Sequence, residues 1–513
     1  MDESKRMILG FVLIFLVMVI FQFYVVSNQK KALQKDKETA TEVSEKEAKP
    51  PREISKKPSI EETSLSELFT EKETSQKEES REEVVIQTSL LEAYLNSKGG
   101  MIDSVYLKDY NVTFCPLNKK EGLLTTSIIS GKQKISTDLF SFNVKIEGNS
   151  KQKRVIFSYI RDSIEIKKTY FFQDTSYVIG LECSPKAEYF YKISTFETGE
   201  NLSQGDRYSG VVYSAGGKPN TINKKNLFKG KDMDVSGVID WVGYKTKYFL
   251  ISLVPDDYLE EFSVNKSPDN PTVFIRGESY ARLYFGPLEY TTLASIKKGL
   301  ENAIYFGWGF IRPISKLIYY FSKFLHKIFH NYGVVIIVFA VVMILILSPI
   351  TISSFRSMSK MQNLQPKMQE IQKRFKDNPR QMNKEVMKLY RESGVNPFSS
   401  CLPLFIQMPI FFALYSVLNS SIELKGAPFI LWIKDLSLKD PYYILPILMG
   451  ISMFVQQRFT TVSQQAEQQK IFSYMMPIIL TFFFLTFPSG LTLYWLSYNI
   501  LMIFIQAYIK KKT

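Results

Sequence analysis

The sequence predicts a polytopic α-helical membrane protein of six spans with an extracytoplasmic all-β sandwich domain. Three observations predict it. Apolar runs about as long as the ~30 Å hydrocarbon layer requires occur once near the N-terminus and five times after residue 333. Between residues 84 and 296 the pattern changes to short runs alternating with period two, separated by Gly, Asn, Asp and Pro. Lys and Arg then gather in the segments that six crossings would leave on the cytoplasmic side.

Taken in order, residues 1–28 read as an uncleaved signal anchor. Met7 to Val26 is continuously apolar behind Lys5 and Arg6, and no small-x-small cleavage site follows. Residues 29–83 are Lys, Glu, Ser and Thr with Pro50, Pro51 and Pro58, a charged linker unable to bury a core. Residues 84–296 carry the sandwich signal, in runs such as those starting at Arg154, Ser163 and Tyr177; Gly99-Gly100 and Gly216-Gly217 read as turns. No histidine falls there and its carboxylates are scattered, so no general base or metal set is legible. The cysteines, Cys115, Cys183 and Cys401, are too few for a disulfide framework, and a Cys115–Cys183 bridge stays open.

Residues 297–332 mix cations with Trp308, Phe310, Ile318, Tyr319 and Phe321, as an interfacial amphipathic helix would. His326 and His330 have the spacing of a metal pair, but no third histidine and no adjacent Glu accompany them, so they read as two interfacial residues. Residues 333–355 form the second span. Residues 356–400 break out as a charged helical hairpin, with Met358, Met361, Leu364, Met368, Ile371 and Phe375 as one apolar stripe and Pro366 as a kink or a helix start. Its cations, among them Arg356, Lys360, Lys367, Lys373, Arg374, Lys384 and Lys388, place it in the cytoplasm as a partner-contact surface. Residues 401–420, 441–459, 471–487 and 490–509 supply spans three to six, ending at Lys510-Lys511-Lys512.

The candidate site is a set of polar stripes on these spans. Gln407, Phe411 and Tyr415 fall on one face of the third. Ser452, Gln456 and Thr460 do so on the fourth, beside Gln457, and Thr492, Trp495, Asn499 and Gln506 on the last. Thr351 ends the second span beside Pro349. Interhelical hydrogen bonding explains any one of them. As a set they fit a hydrated groove, because amides are tolerated at membrane depth where they meet water or protein. Carboxylates are nearly absent from the spans, against an ion-coupled transporter, and no phosphate-binding GxxxxGK[ST] loop occurs.

Several of these segments resemble one family. Leu364-Gln-Pro-Lys-Met, Val395-Asn-Pro, Leu404-Phe-Ile-Gln-Met-Pro-Ile-Phe-Phe-Ala-Leu-Tyr, Pro428-Phe-Ile-Leu-Trp-Ile-Lys-Asp-Leu, Asp440-Pro-Tyr-Tyr-Ile-Leu-Pro-Ile-Leu-Met-Gly and Phe487-Pro-Ser-Gly-Leu occur in the order found in the YidC membrane insertases. Lys98-Gly-Gly and Tyr284-Phe-Gly-Pro extend the likeness into the sandwich. The resemblance implies a five-helix insertase core behind the signal anchor, a periplasmic β-supersandwich and a multi-pass inner-membrane location. It implies insertion and chaperoning of nascent membrane proteins, alone or with the Sec translocon, through a groove open to the cytoplasm. It implies contact with lipids, ribosomes as partners, no nucleic acid except through the ribosome, no cofactor and no enzyme chemistry; a solute transporter or channel is the alternative reading. Within the resemblance, Trp495 matches an aromatic groove position and Gln456 or Gln457 a groove amide. One departure stands out. The family's second span carries an arginine that attracts acidic residues of the incoming segment; the corresponding position here is about Ile344, and no Lys or Arg lies between Gly333 and Phe355.

Overall fold

The computed structural model describes residues 82–513, excepting 119–121, 131–132, 162–163, 199–207, 228–231, 267–270, 308, 377, 395–401, 461–466 and 513. The signal anchor expected over 1–28, nearly all of the linker expected over 29–83, and Cys401 lie outside the described residues. The described residues divide into two compact units, one comprising Phe321–Phe411 and Ala427–Thr513 and the other residues 82–320 with Phe412–Gly426.

The second unit is built on antiparallel strands from Glu83–Gln87 to Tyr280–Pro287. The three alternating runs singled out in the sequence fall in Gln152–Arg161, Ile164–Gln173 and Val178–Ser184, which lie side by side. Period two decides what goes inward: Ile166, Lys168, Tyr170 and Phe172 form one buried row. Lys168 is the exception in that row. Its ammonium donates to the Gly99 carbonyl and, at 2.7 Å, to Thr137 Oγ1, and it lies 5.4 Å from the Phe142 ring. Tyr170 OH donates to the Gly100 carbonyl at 2.8 Å. The Gly99-Gly100 turn, with φ +81° and +52°, is thus gripped from inside the core. Burial pushes the Lys168 ammonium down to about 8 and the neighbouring Cys183 thiol up to about 12. No disulfide joins Cys115 to Cys183.

Behind the strands, Lys297, Lys298 and Gly299 all take positive φ, and Leu300–Ala303 is a single 3₁₀ turn. This break shortens the amphipathic helix expected over 297–332 to α2, Arg312–Phe329, preceded by α1, Tyr290–Ile296. Lys245, buried at the end of its strand, donates to the Ala303 carbonyl at 2.8 Å, and burial pushes its ammonium down to about 8. Tyr290, Phe306 and Tyr319 cluster with ring centroids 5.6–5.7 Å apart, and Tyr319 OH donates to Glu423 at 2.7 Å. Leu317, Tyr320, Phe324 and Ile328 are left exposed along α2 at helical spacing. His326 stacks on Tyr332 at 3.9 Å, while His330 leaves the helix at φ +53°; no cluster of three metal-ligating residues occurs among the described residues.

The first unit is helical: α3 (Tyr332–Asn363), α4 (Gln365–Arg374), α5 (Pro379–Glu392), the first half of α6 (Leu402–Ser420), α7 (Ile444–Thr460), α8 (Glu467–Phe484) and α9 (Ser489–Lys512). Among the described residues two apolar stretches meet the length and hydropathy of a span, Tyr332–Ser357 and Ser489–Ile509; the described apolar parts of α6, α7 and α8 are shorter. The hairpin differs from expectation at its start. Nothing breaks the helix at residue 356, so α3 runs on to Asn363, and the apolar stripe from Met358 to Phe375 is divided between α3 and α4. Pro366 sits in the first turn of α4, where its missing N–H costs nothing. Asn378 caps α5 by accepting from the Gln381 N–H at 3.2 Å.

Candidate functional site

The helices of the first unit meet through polar groups at several levels. On α6, Gln407 is 7% exposed and donates through Nε2 to Tyr494 OH of α9 at 3.1 Å. One turn on, Phe411 packs edge-on against Trp495 at 5.2 Å, and Phe484 of α8 meets the same indole at 5.6 Å. The i, i+4 face read on α6 is therefore matched to an adjacent pair on α9. Deeper, Asn499 Nδ2 donates to Ser452 Oγ of α7 at 3.2 Å, and Ser452 Oγ in turn donates to the Met449 carbonyl at 2.6 Å. Helices α7 and α8 approach closely at Gly450, where a Cβ would lie 2.1 Å from Thr481 Oγ1.

Helices α3 and α9 run side by side in the same direction, with Ile336 nearest Gly490 and Phe339 5.9 Å from Tyr494. An equal rise along both puts Ile344 level with Asn499 and Thr351 level with Gln506. All four are buried. Thr492, Asn499 and Gln506 recur every seven residues, so the ladder spans about 21 Å of helix, most of a ~30 Å hydrocarbon layer. Its rungs are amides, hydroxyls and one indole; none of the residues named here is charged.

Three of these polar atoms are buried without a hydrogen-bond partner among the described residues: Gln407 Oε1, Trp495 Nε1 and Gln506 Oε1. A buried acceptor or donor left this way costs about 1–3 kcal/mol, so each is a place where water or a visiting polar group would be stabilised.

Of the residues picked out in the sequence, Gln407, Phe411, Ser452, Trp495 and Asn499 are thus brought into pairs. Thr492 is buried but donates to Pro488 of its own helix at 3.3 Å, the ordinary back-bond of a helical threonine. Gln456 and Gln457 are half-buried on α7, and Thr351 is buried on α3. Tyr415 belongs to the other unit, half-buried on the later part of α6. Arg356, Lys360, Lys367, Lys373, Arg374, Lys384 and Lys388 are all exposed. Helices α4 and α5 touch through Tyr390 OH, which donates to Met368 Sδ at 3.1 Å, and the apolar residues Met368, Ile371, Val386 and Leu389 between them are only half-buried. Sequence reasoning missed Tyr494 and Phe484. Tyr494 lies beside the stripe rather than on it, and only the Gln407 contact distinguishes it from an apolar packing residue.

Comparison with known proteins decides the family. A model of the YidC periplasmic domain matches residues 83–321, and a model of the 60Kd inner membrane protein matches 324–513. The membrane protein insertase YidC of Geobacter metallireducens is 34% identical over 470 residues, covering 84% of this chain and 86% of that one. That of Geotalea uraniireducens is 35% identical over 463 residues, covering 84% and 87%. The chain belongs to the YidC family of membrane protein insertases. A solved structure of an active YidC insertase is also similar, at 20% identity and a TM-score of 0.41 over 84% of this chain and 93% of that one. The two family models adjoin within α2, so the sandwich corresponds to the YidC periplasmic domain and every rung of the ladder lies in the part matched by the inner-membrane model.

Proposed function

We propose that this chain inserts and helps to fold inner-membrane proteins, alone or beside the Sec translocon, and that the neutral ladder lines a hydrated groove open to the cytoplasm. The observation that carries the groove is the run of polar groups from Thr492 to Gln506 on α9, in which Trp495 Nε1 and Gln506 Oε1 lack a partner among the described residues, as does Gln407 Oε1 on α6. Dry hydrocarbon packing would select against such groups, whereas a water-lined path accounts for them. The short hydrophilic tail of an incoming segment exchanges its water for these amides and hydroxyls, while its apolar part stays on the lipid side. The cost of carrying polar groups through hydrocarbon falls accordingly.

The exposed cations of the α4–α5 hairpin and its half-buried methionine face suit a cytoplasmic docking surface for varied partners, with ribosomes carrying nascent chains among them. Six spans, the first outside the described residues, with both termini in the cytoplasm and the sandwich in the periplasm, complete the reading. Depletion of the protein in its host tests it: small single-span membrane proteins should then accumulate uninserted, and their normal insertion would remove the proposal.

A further inference from the structure

We propose that the turn Phe429–Ile433 is an apolar wedge that seats in the outer leaflet of the bilayer, at the level of the lipid headgroups and first acyl carbons. The turn is held rigidly from beneath. Asn331 Nδ2 donates to the Phe429 carbonyl at 3.3 Å, and Gly333 lies so close that a Cβ there would be 1.9 Å from the Phe429 ring. The Phe429 N–H donates to the Ile433 carbonyl at 3.0 Å and the Ile433 N–H to the Ile430 carbonyl at 3.1 Å. Trp432 Nε1 donates to Asp440 Oδ1 at 3.1 Å, and the other Asp440 oxygen accepts the Leu445 N–H at 2.7 Å as α7 begins. The Leu436 and Leu438 carbonyls accept from the Gly490 and Ser489 N–H groups at 2.9 and 2.7 Å. One loop thereby ties together the first turns of α3, α7 and α9.

What this base presents is Ile430 and Leu431, 54% and 78% exposed. Leu431 has φ +55°, a left-handed conformation that leucine adopts only when its surroundings impose it. A turn meant for water would carry Gly or Asn there. Lipid is the occupant that the neighbourhood fits. The turn lies where three helices of the unit begin. Exposed Tyr442 and Tyr443 with Lys434 and Lys439 supply the aromatic and cationic mixture of a membrane interface. On α7, whose first turn this loop ties down, Ile447, Leu448 and Ile451 are likewise exposed and face acyl chains if α7 is a span.

The inference rests on the span reading above, and the test separates the two. The full chain, with Cys115→Ser, Cys183→Ala and Cys401→Ser, carries a bimane on a single cysteine at position 431, 434 or 447 in vesicles of phosphatidylethanolamine and phosphatidylglycerol. Labels at 431 and 447 should be quenched at least twofold more by nitroxide-bearing lipid than by aqueous iodide, and a label at 434 the reverse. Iodide quenching at 431 with lipid quenching at 447 overturns the wedge alone; iodide quenching at both overturns the span reading beneath it. A 431 label quenched by neither is covered by protein, which overturns lipid as the occupant. Leu431→Gly, which suits the left-handed backbone, should keep or raise the thermal midpoint in detergent while at least halving lipid quenching of a label at 430; unchanged quenching overturns the role of Leu431.

Discussion

Replacing Gln407 and its partner together distinguishes a wet groove from a dry bundle. The change is Gln407→Leu with Tyr494→Phe, which removes one 3.1 Å hydrogen bond and keeps the ring of residue 494 against Phe339 and Tyr498. Hydrogen bonds between membrane helices are worth about 0.6 kcal/mol. A buried acceptor such as Gln407 Oε1, if it truly lacked a partner, would cost about 1–3 kcal/mol. In a dry bundle the double variant therefore gains about 0.4–2.4 kcal/mol, because the unpaired oxygen disappears with the bond. In a hydrated groove water already satisfies that oxygen, nothing is relieved, and the variant loses about 0.6 kcal/mol. Insertion of a single-span client should meanwhile fall several-fold, with Gln407→Leu alone giving part of the loss. Stability is read from reversible unfolding in detergent or bicelles, and insertion from complementation of an insertase-depleted strain with protein levels matched by blotting. A variant that is more stable by over 1 kcal/mol and inserts its client normally would refute the groove at this level.

Ile344→Arg, level with Asn499, should be tolerated and active, since water would receive the guanidinium; in lipid or dry packing it would cost about 2.5–3.5 kcal/mol, visible as a degraded protein on a blot. Cysteines placed along the α4–α5 hairpin should resist impermeant maleimide added to intact cells, and external labelling there would invert the topology. The two buried lysines make sandwich stability depend on pH. Lys168 and Lys245 are each held down to about 8 in the fold against 10.5 ordinarily, so at these two sites the unfolded chain binds more protons between those values and their contribution to stability rises with pH across that window, opposed from about pH 9 by the buried Cys183 thiol, which is held up to about 12. The contribution is about 2 kcal/mol per lysine from pH 8 to 10, read as the difference between the pH profiles of the thermal midpoint in the parent and in Lys168→Met, whose midpoint should rise less or fall more; an equal slope in the variant would count against the buried ammonium.

Much of the fold is legible because each period has one physical cause. Alternation in residues 154–183 placed three neighbouring strands, since only one face of that sheet can be buried. Apolar runs located α6, α7, α8 and α9, and the start of α3, to within a few residues. The failures are equally physical. Lys168 occupies an inward position that the pattern marks as a break, and its ammonium finds its partners in the Gly99 carbonyl and Thr137 Oγ1, both remote in sequence. The end of the second span at residue 355 marked a change in polarity, which does not end a helix; α3 continues to Asn363, just short of Pro366. In the candidate site the stripes on α6, α7 and α9 were visible as helical spacing, but which rungs meet was not. Gln407 to Tyr494 and Asn499 to Ser452 are set by how helices far apart in sequence pack.

The most direct measurement is reconstitution. The purified full-length chain, as the sole protein in sealed liposomes, is given a small single-span client with a short polar tail, and protease is added outside. Insertion through the groove leaves a protected client fragment of span length plus tail, obtained without nucleotide and reduced several-fold in Gln407→Leu/Tyr494→Phe vesicles. A fully digested client, in vesicles that instead release a trapped ion or solute through the protein, would contradict it.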